Sequence, residues 1–373
     1  MIKRLSRFLS SLLCERSGSS NLKSSNRVID MEKLGVLTGG GDSPGINAAI
    51  RAVVRKAKDE DLDVVGFKNG WAGLLDDDKQ VLQRNDVSGI LPIGGTFLGS
   101  SRTNPFSIEG GTDQAVENYE KNDLDALIAI GGDDTLGVAH KLRDHDINAV
   151  GIPQTIDNDL AETEYSIGFN SALSQVMKAV DQLHTTAYSH HRVMVLEVMG
   201  RDSGWIALFG GLAGGADSIL VPEKPFHVKD VKSRIKERES AGKKFSIVVI
   251  SEGASPAELD QQITRESGTD SFGHVKLGGI GHYLKDQLDA ILEMPIRVTT
   301  LAYLQRGGEP TAFDRLLATR YGVKAVELCL NGKFDYMTAS KGNDIKPVSL
   351  EKVIANSPKP IDDHLLEMKD LFY

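Results

Sequence analysis

Residues 128–159 read IAIGGDDTLGVAHKLRDHDINAVGIPQTIDND, and this stretch decides how the chain folds. Two apolar runs, Ala126–Ile130 and Asn148–Ile152, each end abruptly in a polar loop. The first loop is Gly131-Gly132-Asp133-Asp134-Thr135; the second is Pro153-Gln154-Thr155-Ile156-Asp157-Asn158-Asp159. In an open parallel sheet, ligands sit beyond the carboxyl ends of the strands. Strands ending this way would bring four carboxylates and two threonines into one crevice. Such crowding is unfavourable unless a cation or a proton-transfer role compensates it. Asp, Gly and Asn are also ordinary turn residues, so either loop alone could be a solvated turn. The pair on consecutive strands is what points to a site.

Strand and helix patterns alternate outward from this stretch. Lys33–Thr38 reads as a buried strand, Gly39-Gly40-Gly41-Asp42-Ser43-Pro44-Gly45 as a turn, and Ile46–Asp59 as a helix with apolar residues at helical spacing. A glycine-rich turn of this kind lets backbone N–H groups approach a phosphate at the helix N-terminus. It is neither a Walker loop nor a GxGxxG turn. A strand at Leu62–Phe67, a glycine-rich loop at Gly94–Arg102 and a helix near Asp113–Lys121 lead back to the opening stretch. Beyond it come a helix at Gly168–His190 and a strand at Arg192–Met199 that runs into Gly200-Arg201-Asp202-Ser203-Gly204 and another helix. A short strand at Ser218–Val221, a charged helix at Val228–Ala241 and a strand at Phe245–Ser251, ending at Glu252, come next. The last pieces are a strand at Arg297–Leu301, the loop Tyr303–Gly308 and a helix at Ala312–Leu330. Such alternation predicts two parallel α/β layers.

Composition narrows the function. A chain of 373 residues should form about two domains, and 40% hydrophobic with 25% charged residues is ordinary globular usage. The net charge of −9 argues against nucleic acid or an anionic membrane as the main partner, while leaving an anionic substrate to local arginines. Cys14 and Cys329 are the only cysteines, so no disulfide framework exists and a reducing, cytoplasmic setting is expected. No apolar run approaches the roughly 20 residues needed to span a bilayer. Residues 1–30 are rich in Ser, Arg and Lys and carry a short stripe of Leu5, Phe8, Leu9, Leu12 and Leu13. That composition resembles an organellar transit peptide. The simpler reading is a disordered N-terminal extension, or an upstream start ahead of Met31, where the first strand pattern begins.

The chemistry-bearing residues fit phosphoryl transfer. Arg192, Arg201 and Arg306 lie at strand ends or in loops, and Arg297 opens a strand. Arginines beside Gly200 and Gly307-Gly308 suit bidentate clamping of a phosphate. His and Cys show no zinc-ligand spacing. The carboxylates suit Mg2+, which is usually held by one or two acids together with substrate phosphates. No Ser or Cys has a convincing base partner. Asp157, flanked by Thr155 and Asp159, is the candidate general base, and Asp133 the candidate metal ligand.

With those residues in view, the chain from Met31 to Leu330 resembles the 6-phosphofructokinase family. The hallmarks stand as GVLTGGGDSPGINAAIR, GGTFLGSSR, GGDDT, TIDND, EVMGRDSGW, SEG and YLQRGG, in that order. The resemblance implies two Rossmann-like, three-layer α/β domains. Residues 31–168 plus 305–355 would bind the phosphoryl donor, and 169–304 plus 356–373 would bind fructose 6-phosphate. It implies phosphoryl transfer to the 1-hydroxyl of that sugar, a glycolytic reaction. Asp157 would be the base, with Thr155 beside the transferred group and Asp159 supporting the charged centre. Asp133 would hold Mg2+, and Gly41, Arg102 and Thr135 would lie on the donor side. Met199, Gly200, Arg201 and Glu252 would contact the sugar, and Tyr303 and Arg306 its 6-phosphate. Arg192 and Arg297 would reach a neighbouring subunit's sugar site, which implies a homodimer or homotetramer.

The donor turns on two positions. Asp134 stands where ATP-using members carry glycine and pyrophosphate-using members aspartate. A carboxylate there opposes the nucleotide's α-phosphate by volume and by like charge. Thr103 agrees, because ATP users often place an aromatic residue there. Gln154 departs from the lysine usual in pyrophosphate users, and a neutral amide cannot balance transition-state charge as a cation does. Pyrophosphate is the expected donor, ATP the alternative, and a catalytically weak sugar-phosphate-binding regulatory homologue a third reading.

Overall fold

The computed structural model describes residues 31–259, 264–269 and 275–371. The N-terminal extension read at 1–30 lies outside the described residues. In chain order the first strands are β1 (Lys33–Thr38), β2 (Asp63–Phe67), β3 (Lys79–Val81), β4 (Ala126–Gly131), β5 (Ala149–Thr155) and the short β6 (Ile167–Gly168). Next come β7 (Val193–Val198), β8 (Ser218–Leu220), β9 (Ser246–Ser251), β10 (Thr264–Thr269), β11 (Val275–Leu277) and β12 (Ile296–Thr300). The chain ends its strands with β13 (Tyr336–Lys341) and β14 (Asp344–Ser349). They assemble into one sheet ordered β14-β13-β5-β4-β1-β2-β3, with β6 against β5, and a second ordered β12-β7-β9-β8. β10 and β11 form a separate hairpin.

Helices cover both faces of each sheet. The first sheet carries α1 (Ile46–Asp59), α2 (Trp71–Asp76), α3 (Gly111–Lys121) and α4 (Asp133–Leu142). The second carries α5 (Phe169–His190), α6 (Trp205–Gly214), α7 (Val228–Ser240) and α8 (Ile280–Asp289). The chain then returns with α9 (Ala312–Leu330) and α10 (Leu350–Asn356) to the first, and α11 (Asp363–Met368) follows. The strand sequences explain the layering. In β4, Ala126, Ile128 and Ile130 face the core shared with α1 and α9, while Leu127 and Ala129 face the core shared with α3 and α4. In β9, Ile247 and Val249 turn to one core and Val248 and Ile250 to the other. With both faces buried, these interior strands read as continuous apolar runs.

Two expectations need correction. The first sheet is not wholly parallel, because β3 pairs antiparallel with β2 and β14 antiparallel with β13. These edge strands return through short connections, which parallel pairing would not allow. The second sheet is parallel throughout. The stretch Gly131–Thr135 is not all loop either: Asp133 already belongs to α4. Leu136, Val138, Ala139 and Leu142 give that helix its buried face, and Asp133 and Asp134 sit in its first turn, where the helix dipole favours negative charge.

The topology places the site. β1 lies between β2 and β4, so successive connections leave it in opposite directions, and such a switch point opens a crevice at the strands' carboxyl ends. The register pairs Gly131 with Pro153, so the two carboxylate-bearing ends emerge side by side.

Candidate active site

A cavity of about 390 Å³ opens at these strand ends. From the first sheet it receives Gly40, Gly41 and Asp42 after β1, Asp133, Asp134 and Thr135 at the start of α4, and Gln154, Thr155, Asp157 and Asp159 after β5. Arg102 reaches it from the glycine-rich loop. The second sheet contributes Met199 and Arg201 after β7 and Glu252 after β9, and Tyr303 and Arg306 complete the wall. The convergence read from the two loops is therefore present: all four carboxylates line one cavity.

Local geometry shows why these residue types stand where they do. Thr135 is buried under the β1 and β4 ends, and a Cβ on Gly39 or Gly131 would come within 2.6 Å of its side chain. Asn158 has φ 53°, in the left-handed region that asparagine tolerates, and it locks the loop with its amide. Its Nδ2 donates to the Glu164 carbonyl (3.1 Å), and its Oδ1 accepts from the Ser166 N–H (2.9 Å). The Asp157 N–H donates to Thr155 Oγ1 (3.1 Å). Gln154, 2% exposed, donates through Nε2 to the Gly41 carbonyl (3.0 Å) and to Ser43 Oγ (2.9 Å), so it braces the turn after β1.

Charge is concentrated and poorly hydrated on the cavity floor. Asp157 lends part of its surface to the cavity, but its Oδ1 is sealed and has no hydrogen-bond partner among the described residues. Burial, then the nearby Glu252, raises its pKa, against the pull of Arg306 and Arg201. Burial, then Asp157 and Asp133, raises that of Asp159. Glu252 is also raised by burial, although the Arg201 N–H donates to its Oε1 (3.3 Å). Burial lowers the Arg201 pKa, but Asp133, Asp157, Asp134 and Asp159 outweigh it and hold the guanidinium charged. Arg306 lies under the turn after β1: a Cβ on Gly41 would come within 2.8 Å of its Nη1. Its guanidinium carbon sits 5.5 Å from the Tyr303 ring centroid, and its buried Nε has no partner among the described residues.

An all-oxygen set of desolvated carboxylates suits a hard cation. Asp157 Oδ1 has no hydrogen-bond partner among the described residues, and burial outweighs the pull of Arg306 and Arg201 on Asp157, so a further cation would be accommodated here. Among the described residues no three His, Cys, Asp or Glu side chains are grouped to hold a metal by themselves. A cation here would therefore share its coordination with phosphate oxygens.

Four of the residues singled out from the sequence do not line the cavity: Thr103, Arg192, Gly200 and Arg297. Gly200 shapes the loop instead: its φ is 150°, and a Cβ there would lie 2.4 Å from the Ser203 carbonyl oxygen. Arg192 and Arg297 sit at the amino ends of β7 and β12, whereas the cavity lies at the carboxyl ends. A strand rises about 3.3 Å per residue, so these arginines are a strand length away from the site of their own protomer. Arg297 is exposed, and its Nη1 donates to the Ile296 carbonyl (2.8 Å). Conversely, Asp42 and Leu277 line the cavity without having been singled out. Asp42 carried the same signal as Asp133, an acid just past a buried strand. Leu277 carried none, since it arrives on the β10–β11 hairpin.

Among the described residues no helix is long and apolar enough to cross a membrane. The phosphofructokinase family profile matches residues 33–329. A pyrophosphate–fructose 6-phosphate 1-phosphotransferase of Amycolatopsis mediterranei is 52% identical over 87% of this chain and 94% of its own. An ATP-dependent 6-phosphofructokinase of Streptomyces coelicolor is 46% identical over 89% of this chain and 97% of its own. Among solved structures, phosphofructokinase from Saccharomyces cerevisiae superposes with a TM-score of 0.77 at 33% identity. That match covers 87% of this chain and 45% of the yeast chain. The chain belongs to the phosphofructokinase family, and it is a phosphotransferase with the two-domain α/β fold of that family.

Proposed function

We propose that the protein transfers a phosphoryl group from pyrophosphate to the 1-hydroxyl of fructose 6-phosphate, reversibly. The observation that carries the donor assignment is Asp134. Its carboxylate stands in the first turn of α4 on the cavity wall, beside Asp133, where a nucleotide's additional phosphate would meet both its volume and its charge. In this reading Gly41, Arg102 and Thr135 face the donor phosphates. Met199, Arg201 and Glu252 hold the sugar, with Gly200 shaping their loop, and Tyr303 and Arg306 hold its 6-phosphate. Asp133 would hold Mg2+, which supplies charge neutralisation on the transferring group when bound. Asp157 accepts the proton of the 1-hydroxyl, a task for which a raised pKa is suited because the base then lies nearer the working pH. Thr155 positions the transferred group, and Asp159 sustains the charge on the same loop.

Gln154, a neutral amide, does not supply the cation usual in pyrophosphate users, and its Nε2 braces the turn after β1. Arg201, faced by four carboxylates, is the positive charge available to balance the reacting centre. The chain would act as a homodimer or homotetramer in the cytoplasm, with Arg192 and Arg297 completing a neighbour's sugar site. Residues 31–168 with 305–355, and 169–304 with 356–373, would form the donor and sugar domains.

Gln154 favours a second reading, ATP as donor. A coupled assay of the purified protein with Mg2+ and each donor separates the two. Turnover with pyrophosphate should exceed that with ATP by at least about tenfold, equivalent to 1.4 kcal/mol of transition-state preference. Equal or greater turnover with ATP would reject pyrophosphate as the donor.

A further inference from the structure

Behind the loop that carries Asp157 and Asp159 runs the segment Ser357–Lys359, between α10 and α11. It touches the loop at several points. Ser357 Oγ accepts from the Ala161 N–H (2.9 Å), and the Lys359 N–H donates to the Asp159 carbonyl (2.5 Å). The Lys359 ammonium donates to the Thr163 carbonyl (3.0 Å) and the Glu164 carbonyl (3.1 Å), where that loop leaves the site. The same residue also holds the first turn of α6 on the second sheet. Its carbonyl accepts from the Trp205 indole N–H (3.2 Å), and its ammonium lies 4.8 Å from the centroid of the Trp205 rings. Trp205 is buried and opens α6 directly after the loop that carries Arg201. Two residues further on, Ile361 is buried in the core of the second sheet, with Leu365 and Leu366 packed against it.

We infer that Lys359 is a positioning residue for phosphoryl transfer, a strut that fixes the loop bearing Asp157 and Asp159 against the helix behind Arg201. The geometry suits that task better than a surface contact would. An ammonium has three donors and no acceptor, and two of them reach the Thr163 carbonyl and the Glu164 carbonyl, the latter shared with Asn158 Nδ2, which a shorter or apolar side chain could not do. The indole takes the charge on its face and returns its N–H to the backbone of the same residue, so the two groups fix each other's orientation. One residue therefore sets the distance between the proton acceptor on the first sheet and the arginine on the second. Small misplacements of reacting groups cost large factors in rate.

This inference rests on Asp157 being the base, and its test is arranged so that the two can fail separately. Steady-state kinetics of Lys359→Met should show kcat reduced roughly 10–100-fold with the fructose 6-phosphate KM within about threefold, as loss of near-attack geometry dictates. Lys359→Arg, which keeps charge and donors, should recover most of kcat. Trp205→Phe should lower kcat by a smaller factor, and the double variant should be no slower than Lys359→Met, because both changes cut the same strut. Full kcat in folded Lys359→Met, or additive losses in the double variant, overturns the proposal. If Lys359→Met does not fold, unchanged kcat in Trp205→Phe overturns it instead, and a kcat loss in Trp205→Phe at constant KM upholds it. Activity retained in Asp157→Asn would instead remove the base assignment, whatever Lys359 does.

Discussion

The two carboxylate pairs of the cavity come from adjacent strands of one sheet, yet they are held in opposite ways. Asp133 and Asp134 follow β4 directly into a helix, so their backbone is fixed by α4 and their negative charge faces its N-terminus. Asp157 and Asp159 follow β5 into a loop that has no such support. That loop is kept in shape by Asn158, by Ser166, whose Oγ donates to the Thr155 carbonyl (2.8 Å), and by Lys359 from the far end of the chain. Burial raises the pKa of both loop carboxylates. In the proposed mechanism the helix-borne pair presents charge to the metal and the donor, while Asp157 of the loop-borne pair takes the proton. Similar residues at similar strand ends acquire different chemistry from the backbone that carries them.

The strongest way to break this comparison is Asp157→Asn. The amide keeps shape and removes the acceptor, so kcat should fall by about 10²–10⁴ with little change in KM, the range typical of a general base. A loss below about tenfold would mean that the loop pair does not exchange the proton. Asp134→Gly probes the helix-borne pair and should act on donor choice, leaving proton transfer intact. Removing its volume and charge should raise kcat/KM for ATP relative to pyrophosphate by about 10–100-fold, as expected when a repulsive element is deleted. An unchanged donor ratio in the same coupled assay would remove Asp134 from donor selection.

The sequence made the loops visible because both signals are local. A buried strand that stops at glycine or proline and is followed by acids is legible in one dimension, and so are β1, β4, β5, β7 and β9. The α4 helix was missed because its first turn is made of the acids that mark a loop. Antiparallel β3 and β14 are short or half-exposed edge strands, without the continuous apolar runs of the interior. The part of the site least legible was its support. Nothing near Ser357–Lys359 announces contact with residues 159–164, because the partners lie about two hundred positions apart. Arg192 and Arg297 lie at the amino ends of their strands, away from their own protomer's cavity, where only a second copy of the chain could bring them to a sugar site.

The smallest effect expected concerns stability. A buried carboxylate whose folded pKa is raised binds its proton more tightly in the native state than in the unfolded chain. The contribution to stability is then complete below the unfolded pKa of about 3.9 and is lost as pH rises through the raised folded value. At pH 8 the ionised Asp159 is therefore a burden, with burial and the neighbouring Asp157 and Asp133 all opposing its charge. Asp159→Asn should lift that burden and raise Tm at pH 8 by roughly 1–2 °C for each kcal/mol recovered, with the gain vanishing as pH approaches 4. The same change in a helix-borne acid, Asp133→Asn, should give less, since it surrenders a favourable interaction with the N-terminus of α4. Thermal melts of the two variants across pH 4–8 measure the contrast directly. Equal gains from both would show that the helix offers its acids no shelter, and the distinction between the two strand ends would fall.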